Sequence, residues 1–231
     1  MHAQTKIMKI VVLTGAGISA ESGLKTFRDS NGLWEGHDVM EVASPEGFLA
    51  NPTLVLDFYN QRRRQLLTVQ PNLAHKTLAN LEARHEVVVI TQNVDDLHER
   101  SGSSKVLHLH GELLKVRSTK PPFAVQSWKE DLLIGDLCEN GHQLRPAIVW
   151  FGEAVPAMEA AITEIENAEA LVIVGTSMQV YPAAGLMKYA PNEVPIYFVD
   201  PNPSLSSNSR ITVFAEKATS GVLKAINAIQ R

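Results

Sequence analysis

The sequence predicts an α/β fold, and three observations carry that prediction. Short, wholly apolar runs recur along the 231-residue chain: KIVVL from Lys9, EVVVIT over Glu86 to Thr91, and ALVIVG over Ala170 to Gly175. Runs of this kind belong to strands buried on both faces of a parallel sheet. Segments with helical spacing separate them, as crossovers between parallel strands require. Finally, the runs end in glycine or polar residues: Thr14-Gly15-Ala16-Gly17, Thr91-Gln92-Asn93-Val94-Asp95, His110-Gly111, Gly175-Thr176-Ser177 and Asp200. Ligands of open parallel sheets bind at the carboxyl ends of the strands, so these endings are expected on one rim. The expected architecture is a Rossmann-like parallel sheet with helices on both faces plus a smaller inserted domain.

Taken in order, Lys9 to Thr14 reads as the first strand and Ser44 to Gly47 as a turn or short helix start. Pro52 to Thr68 reads as a helix, with Asn51 able to cap it and Leu54, Val55, Phe58 and Leu66 at helical spacing. Asn72 to Arg84 is expected as a second helix with Leu73, Thr77, Leu78 and Leu81 on one face. Strands follow at Glu86 to Thr91 and Val106 to His110. From Glu112 to Pro146 the pattern gives way to prolines, glycines and polar residues, which predicts loops and short pieces. Beyond it, Ala147 to Phe151 is extended, Pro156 to Asn167 and Pro182 to Tyr189 are helical, and Ile196 to Val199 and Ile211 to Phe214 are strands. Thr219 to Gln230 closes the chain as an amphipathic helix. The strand-bearing domain is expected over residues 1–24, 69–111 and 147–231, and the smaller one over 25–68 and 112–146.

Composition narrows the function. Apolar residues make up 45% of the chain, enough for a proper core, and the net charge is −4. Nothing suggests a nucleic-acid groove or an anionic membrane surface. Cys138 is the one cysteine, so no internal disulfide is possible, which suits a reducing cytoplasm. There is no signal-peptide core and no apolar run long enough to span a bilayer.

Gly15-x-Gly17-x-x-Ala20 fits a dinucleotide-binding turn, with backbone N–H groups at a helix start facing a pyrophosphate. Alone it fits any tight strand-to-helix turn equally well. A hydride-transfer frame would continue with a strand and an acid about 20 residues on. Here Phe27-Arg28-Asp29 follows instead, then a stretch rich in turn residues.

Six segments in order then resemble the sirtuin family of NAD-dependent protein lysine deacylases: Gly15-Ala16-Gly17-Ile18-Ser19, Phe27-Arg28-Asp29, Gln92-Asn93-Val94-Asp95, His110-Gly111, Val149-Trp150-Phe151-Gly152-Glu153 and Gly175-Thr176-Ser177. The resemblance spans Ile10 to Ala218. It implies NAD as co-substrate, acylated-lysine proteins or peptides as partners, and His110 as general base, with Asn93 and Asp95 completing the catalytic set. The implied chemistry is attack of the acyl oxygen on C1′ of the nicotinamide riboside, release of nicotinamide, and transfer of the acyl group to ADP-ribose. Gln92, Asn93 and Asp95 would contact the nicotinamide and its ribose, and Ala16, Phe27 and Arg28 would lie over the dinucleotide. Ser177 would bond a phosphate with Thr176 lining the same pocket, Asp200 would accept the adenosine ribose hydroxyls, and Gly175 and Ala218 would complete the cofactor site. Val149 to Glu153 and Val180 would hold the peptide as an added strand. Read from residue type alone, His110 is as readily structural, and Asn93, Asp95 and Asp200 as readily turn residues.

The chain departs from the family pattern in two respects, one of them Asp200, which stands where many relatives have asparagine for the adenosine ribose. Most sirtuins carry two Cys-x-x-Cys pairs for a structural zinc, which needs four ligands. Here those positions fall at Ser118, Pro121, Leu137 and Asn140, so no zinc is expected. The small domain should then hold by packing through Phe123, Trp128, Leu132 and Leu133.

Tyr59 and Arg62 are three apart and share a helical face. A guanidinium fork fits a carboxylate through two hydrogen bonds. Within the family this pair marks the subgroup that removes succinyl and other acidic acyl groups, with a small residue, here Ala43, widening the pocket. The pair reads equally as part of a solvated Arg62-Arg63-Arg64 face. The resemblance favours a dual deacetylase and desuccinylase, monomeric and cytoplasmic. The alternatives are a lipoamidase-like deacylase or mono-ADP-ribosyltransferase on the same scaffold, and a non-catalytic reader of NAD or acyl-lysine.

Overall fold

The computed structural model describes residues 6–25, 33–34 and 36–230. In chain order its strands are β1 (Lys9–Thr14), β2 (Leu33–Trp34), β3 (His37–Asp38), β4 (Glu86–Thr91), β5 (Val106–His108), β6 (Gly111–Ser118), β7 (Val125–Ser127), β8 (Leu144–Ile148), β9 (Ala170–Val174), β10 (Ile196–Val199) and β11 (Ile211–Phe214). The α-helices are α1 (Val39–Val42), α2 (Pro45–Ala50), α3 (Pro52–Thr68), α4 (Leu73–Leu81), α5 (Leu97–Ser101), α6 (Met158–Glu166) and α7 (Ala218–Ile229).

Six strands form one sheet in the order β11-β10-β9-β1-β4-β5, with every neighbouring pair parallel. Numbered by their sequence within that sheet they read 3-2-1-4-5-6, the doubly wound order. Successive side chains on a strand point to opposite faces. Ile10, Val12, Val89 and Val172 therefore pack with Leu78 of α4 and Val222 of α7 on one side. Val11, Leu13, Ile90 and Ile173 meet Ala161 and Ile165 of α6 on the other. The all-apolar runs are explained: a strand covered on both faces has no solvent side. The order reverses between β1 and β9, and the functional cleft opens there.

Several expectations need correction. The Gly15–Gly17 turn leads into two single 3₁₀ turns, Ala16–Ile18 and Ala20–Ser22, instead of an α-helix. The Ala183–Tyr189 segment is also 3₁₀. β5 stops at His108, and Gly111 (φ +80°) redirects the chain into β6. A Cβ at Gly111 would lie 2.0 Å from the Ala147 carbonyl oxygen, so only glycine lets β6 pair with β8 there. Leu73 is exposed; Ala74, His75, Leu78 and Leu81 form the buried face of α4. The stretch expected as loops holds a three-stranded antiparallel sheet, β7-β6-β8. Its long strand β6 is only half-buried and carries glutamate, lysine and arginine between its apolar positions, so it lacks the unbroken apolar runs of the parallel sheet. The expected extended segment from Ala147 to Phe151 is divided, with β8 ending at Ile148.

The apolar centre of this smaller sheet is Val116, Leu132 and Leu144 against Leu56, with Trp128 and Cys138 at its margin. Phe123 and Leu133, expected as anchors, are exposed. Polar staples from α3 take their place. Asn60 donates from Nδ2 to the Leu132 carbonyl (3.0 Å), and its Oδ1 accepts from Leu132 N–H (2.8 Å) and from Arg63 Nη1 (2.6 Å). Arg63 is fully buried and also donates to the carbonyls of Leu113 (3.2 Å) and Glu130 (3.3 Å). Arg63 is therefore no part of a solvated arginine face. Burial lowers its pKa to about 10, still charged at neutral pH.

Replacing Asn60 with Leu keeps the volume and strands the Leu132 peptide groups and one Arg63 donor without partners. Each buried unmet group costs on the order of 1–3 kcal/mol. Urea unfolding of Asn60→Leu should therefore show a loss of roughly 3 kcal/mol or more. An unchanged midpoint would mean that apolar packing alone holds the small sheet.

Candidate active site

A cleft of about 880 Å³ opens at the carboxyl edge of the parallel sheet, walled on its far side by α3 and the segment after β8. Two glycine-bearing backbones form its floor at the strand-order reversal. Gly15 N–H donates to the Val174 carbonyl (3.0 Å) and Gly17 N–H to the Gly175 carbonyl (2.9 Å). A Cβ on Gly17 would lie 2.6 Å from Gly175 Cα, and Gly175 itself has φ +62°. The glycines thus permit two chain segments to touch. Their N–H groups are already used, which corrects the expectation that these particular groups face a phosphate.

The expected residues Gly15, Ala16, Gly17, Ala20, Gln92, Asn93, Asp95, His110, Gly175, Thr176, Ser177, Asp200 and Ala218 all line this cleft. So do Ala43, Tyr59, Arg62, Val149, Trp150, Phe151, Gly152, Glu153 and Val180. Phe27 and Arg28 lie outside the described residues.

At the inner end, three side chains form a chain of hydrogen bonds. Ser19 Oγ donates to Asp95 Oδ2 (2.9 Å) and accepts from Asn93 Nδ2 (3.2 Å). Asp95 Oδ1 accepts from Leu97 N–H (3.2 Å). Asn93 N–H is tied to Thr91 Oγ1 (3.0 Å), which fixes the loop as it leaves β4. Asp95 does serve its own turn, yet its second oxygen reaches across to the Gly15–Ser19 segment. Burial raises its pKa to about 6, against the opposing pull of the Ser19 and Leu97 bonds. Ser19 was given no role by sequence reasoning although it closes the Gly15 motif; its burial was the missing signal.

His110 and His108 both bond carbonyls of the loop after β4, through Nδ1: His110 to Gln92 (2.9 Å) and His108 to Asn93 (3.0 Å). A carbonyl only accepts, so Nδ1 carries the proton in each. A neutral His110 then presents Nε2 as its lone-pair nitrogen, the form a general base needs. Burial lowers the His110 pKa, with the Gln92 bond opposing, and so keeps the ring neutral. His108 differs, because its Nε2 is engaged by Glu99 (2.7 Å). Burial disfavours its charge, but the Glu99 carboxylate overcomes this and raises its pKa. The two histidines are thus separated by partner, one a candidate base and one an ion-pair member.

Gln92 Nε2 donates to Thr176 Oγ1 (3.1 Å), joining the ends of β4 and β9. Asp200 is buried at the end of β10, and its Oδ1 accepts from Asn202 N–H (2.8 Å), so it also makes a turn of its own. On the outer wall, Val149 N–H donates to the His110 carbonyl (2.9 Å) and Phe151 N–H to the Ala43 carbonyl (2.9 Å). Tyr59 is buried, and its hydroxyl accepts from Trp150 Nε1 (3.0 Å). Burial raises the Tyr59 pKa, so the hydroxyl keeps its proton. Arg62 donates from Nη1 to the Phe58 carbonyl (2.6 Å), and its guanidinium carbon lies 3.6 Å from the Phe58 ring centroid.

The positions expected for the zinc cysteines are Ser118, Pro121, Leu137 and Asn140. Ser118 Oγ accepts from Lys120 N–H (3.1 Å) and donates to its carbonyl (2.7 Å), a closed local turn. This donor set does not fit a structural zinc. Among the described residues no helix is long and apolar enough to cross a membrane.

Comparison with known proteins agrees with this geometry. The model of the Sir2 family matches residues 15–182. An NAD-dependent protein deacylase of Helicobacter pylori is 64% identical over 192 residues, 83% of this chain and 84% of that protein. One of Bacteroides thetaiotaomicron is 53% identical over 220 residues, 92% of this chain and 94% of that protein. A solved Sir2 homologue–NAD complex superposes with a TM-score of 0.83 at 36% identity, covering 96% of this chain and 91% of that one. The family match spans the cleft from Gly15 to Pro182, and the chain belongs to the Sir2 family.

Proposed function

We propose that this protein is an NAD-dependent protein lysine deacylase that removes acetyl and acidic acyl groups such as succinyl. The observation that carries the reading is His110. Its proton is held on Nδ1 by Gln92, its pKa is lowered, and it lies in a cleft whose other wall bears the Tyr59–Arg62 pair.

In this reading NAD is a substrate. Thr176 and Ser177 receive its phosphates beside the Gly15–Gly17 turn, and Asp200 accepts hydrogen bonds from the adenosine ribose. Asn93 and Asp95 hold the nicotinamide carboxamide and ribose. The acyl-lysine peptide lies along Val149 to Glu153 and Val180. Its acyl oxygen attacks C1′ as nicotinamide leaves with the C1′–N bond electrons. His110 Nε2 then takes the 2′-hydroxyl proton, the 2′-oxygen attacks the imidate carbon, and water completes release of lysine and O-acyl-ADP-ribose. The retained base favours this over a non-catalytic reader, which has no use for one.

Tyr59 supplies a hydroxyl and Arg62 a cation for a terminal acyl carboxylate, with Ala43 leaving room beside them. No structural zinc is part of the proposal, since the four ligand positions hold no cysteine. We also read the division into two domains, 1–24, 69–111 and 147–231 against 25–68 and 112–146, and a cytoplasmic monomer, as consistent with this activity.

Three outcomes test the reading. His110→Ala should lower kcat by about 10²–10⁴-fold, the range for general-base loss, with NAD affinity little changed. Full turnover by that variant would remove His110 from the mechanism. With one peptide carried in both acyl forms, Arg62→Met should cut desuccinylation by the equivalent of roughly 2 kcal/mol or more and spare most deacetylation. Equal losses would make Arg62 a packing residue.

The third outcome concerns Asp95. Its folded pKa of about 6 lies above the ordinary 3.8, because burial penalises the charge. Between those values the folded state binds more protons than the unfolded one. The contribution is thus present at low pH and lost as pH rises through about 6. Asp95→Asn cannot ionise, so its stability relative to wild type should improve by on the order of 2 kcal/mol between pH 4.5 and 8. A pH-independent gap in urea titrations would contradict a buried, ionising Asp95.

A further inference from the structure

We propose that Arg145, on β8, is the positioning residue that sets the substrate-holding segment Val149 to Glu153 against both the base and the acyl pocket. The inference deepens the deacylase reading and rests on it. Arg145 is 6% exposed and touches the segment at Glu153 and Trp150, and Ile148 just before it. Its Nη1 and Nη2 donate to Glu153 Oε1 and Oε2, each at 2.8 Å, an end-on fork. Its Nη2 also donates to the Ile148 carbonyl (2.7 Å). Its guanidinium carbon lies 3.4 Å from the Trp150 ring centroid, a stacked cation–π contact.

Each contact passes something on. Glu153 Oε2 accepts from Trp150 N–H (2.8 Å) while Glu153 N–H donates to the Trp150 carbonyl (3.0 Å), which closes a tight loop around Phe151 and Gly152. The indole clamped by Arg145 donates from Nε1 to the Tyr59 hydroxyl (3.0 Å). That bond occupies the hydroxyl as acceptor and leaves its proton as the group offered to an acyl chain. At the other end, Ile148, which Arg145 grips, is followed by Val149, whose N–H holds the His110 carbonyl (2.9 Å). One guanidinium therefore ties together the peptide-holding segment, the candidate acyl pocket and the backbone of the candidate base. A fork with a flat face is required for bonding and stacking at once; an ammonium supplies neither. Arg117 Nη2 also reaches Glu153 Oε1 (3.0 Å) and lowers the carboxylate's dependence on Arg145 for charge, though not for orientation.

The test is steady-state kinetics of Arg145→Met and Arg145→Lys on one peptide in acetyl and succinyl forms, with NAD varied separately. Both variants should raise KM for the peptide about tenfold or more in both acyl forms, more for the succinyl form, whose pocket the Trp150–Tyr59 bond serves, with KM for NAD within about twofold of wild type. Lysine should not rescue, since charge alone does not align the segment. Glu153→Gln, which keeps an acceptor for Trp150 N–H, should give the same split. It serves as the second variant should Arg145→Met fail to fold. Rescue by lysine, or KM values for peptide and NAD that rise together, would overturn the positioning role and leave a structural one. An unchanged peptide KM would overturn it outright. If wild type turns over neither peptide, the deacylase reading fails and takes this proposal with it. Wild-type turnover with indifferent variants would sink this proposal alone.

Discussion

Two backbones touch where the strand order reverses, and the site is built outward from that contact. Gly17 lies against Gly175 so closely that a single methyl on either would force them apart. The contact is sealed by two backbone hydrogen bonds, Gly15 to Val174 and Gly17 to Gly175. It pins the loop after β1 to the loop after β9 and delivers Ser19 to Asp95. Asp95 and Asn93 belong to the loop after β4, whose neighbouring carbonyl orients His110. Widening the first contact would loosen each group in turn.

The electrostatics follow from the same packing. Side chains packed at the inner end of the cleft have little water to support charge. His110 is kept neutral and Asp95 is raised, both chiefly by burial. Tyr59 retains its proton for the same reason. Neighbouring His108 escapes this rule because Glu99 answers its charge. These groups are thus sorted into base, hydrogen-bond donor and ion pair by partner and burial.

The parallel sheet was legible in the sequence because burial on both faces leaves an unmistakable signature. β1, β4, β10 and β11 have the boundaries that their apolar runs predict. α3 was equally clear, since Asn51 and Pro52 mark its start. The antiparallel sheet was not, because its strands mix arginine, lysine and proline with few apolar positions. The rim of polar strand ends located the cleft without any coordinates, and the family motifs named its residues. Ser19, Arg63 and Arg145 escaped because nothing in residue type tells a buried polar side chain from a solvated one. For Ser19 and Arg63 the partner is distant in sequence and only the fold supplies it, whereas Arg145 meets Ile148 and Glu153, three and eight residues on, because the chain after β8 folds back.

Mass analysis of the products of wild-type protein incubated with NAD and an acyl-lysine peptide tests the central claim most directly. The account predicts free lysine peptide, nicotinamide and O-acyl-ADP-ribose in equal amounts, with nothing formed when NAD is left out. Peptide or protein that gains the mass of ADP-ribose while keeping its acyl group would contradict it, and would assign the cleft to ADP-ribosyl transfer.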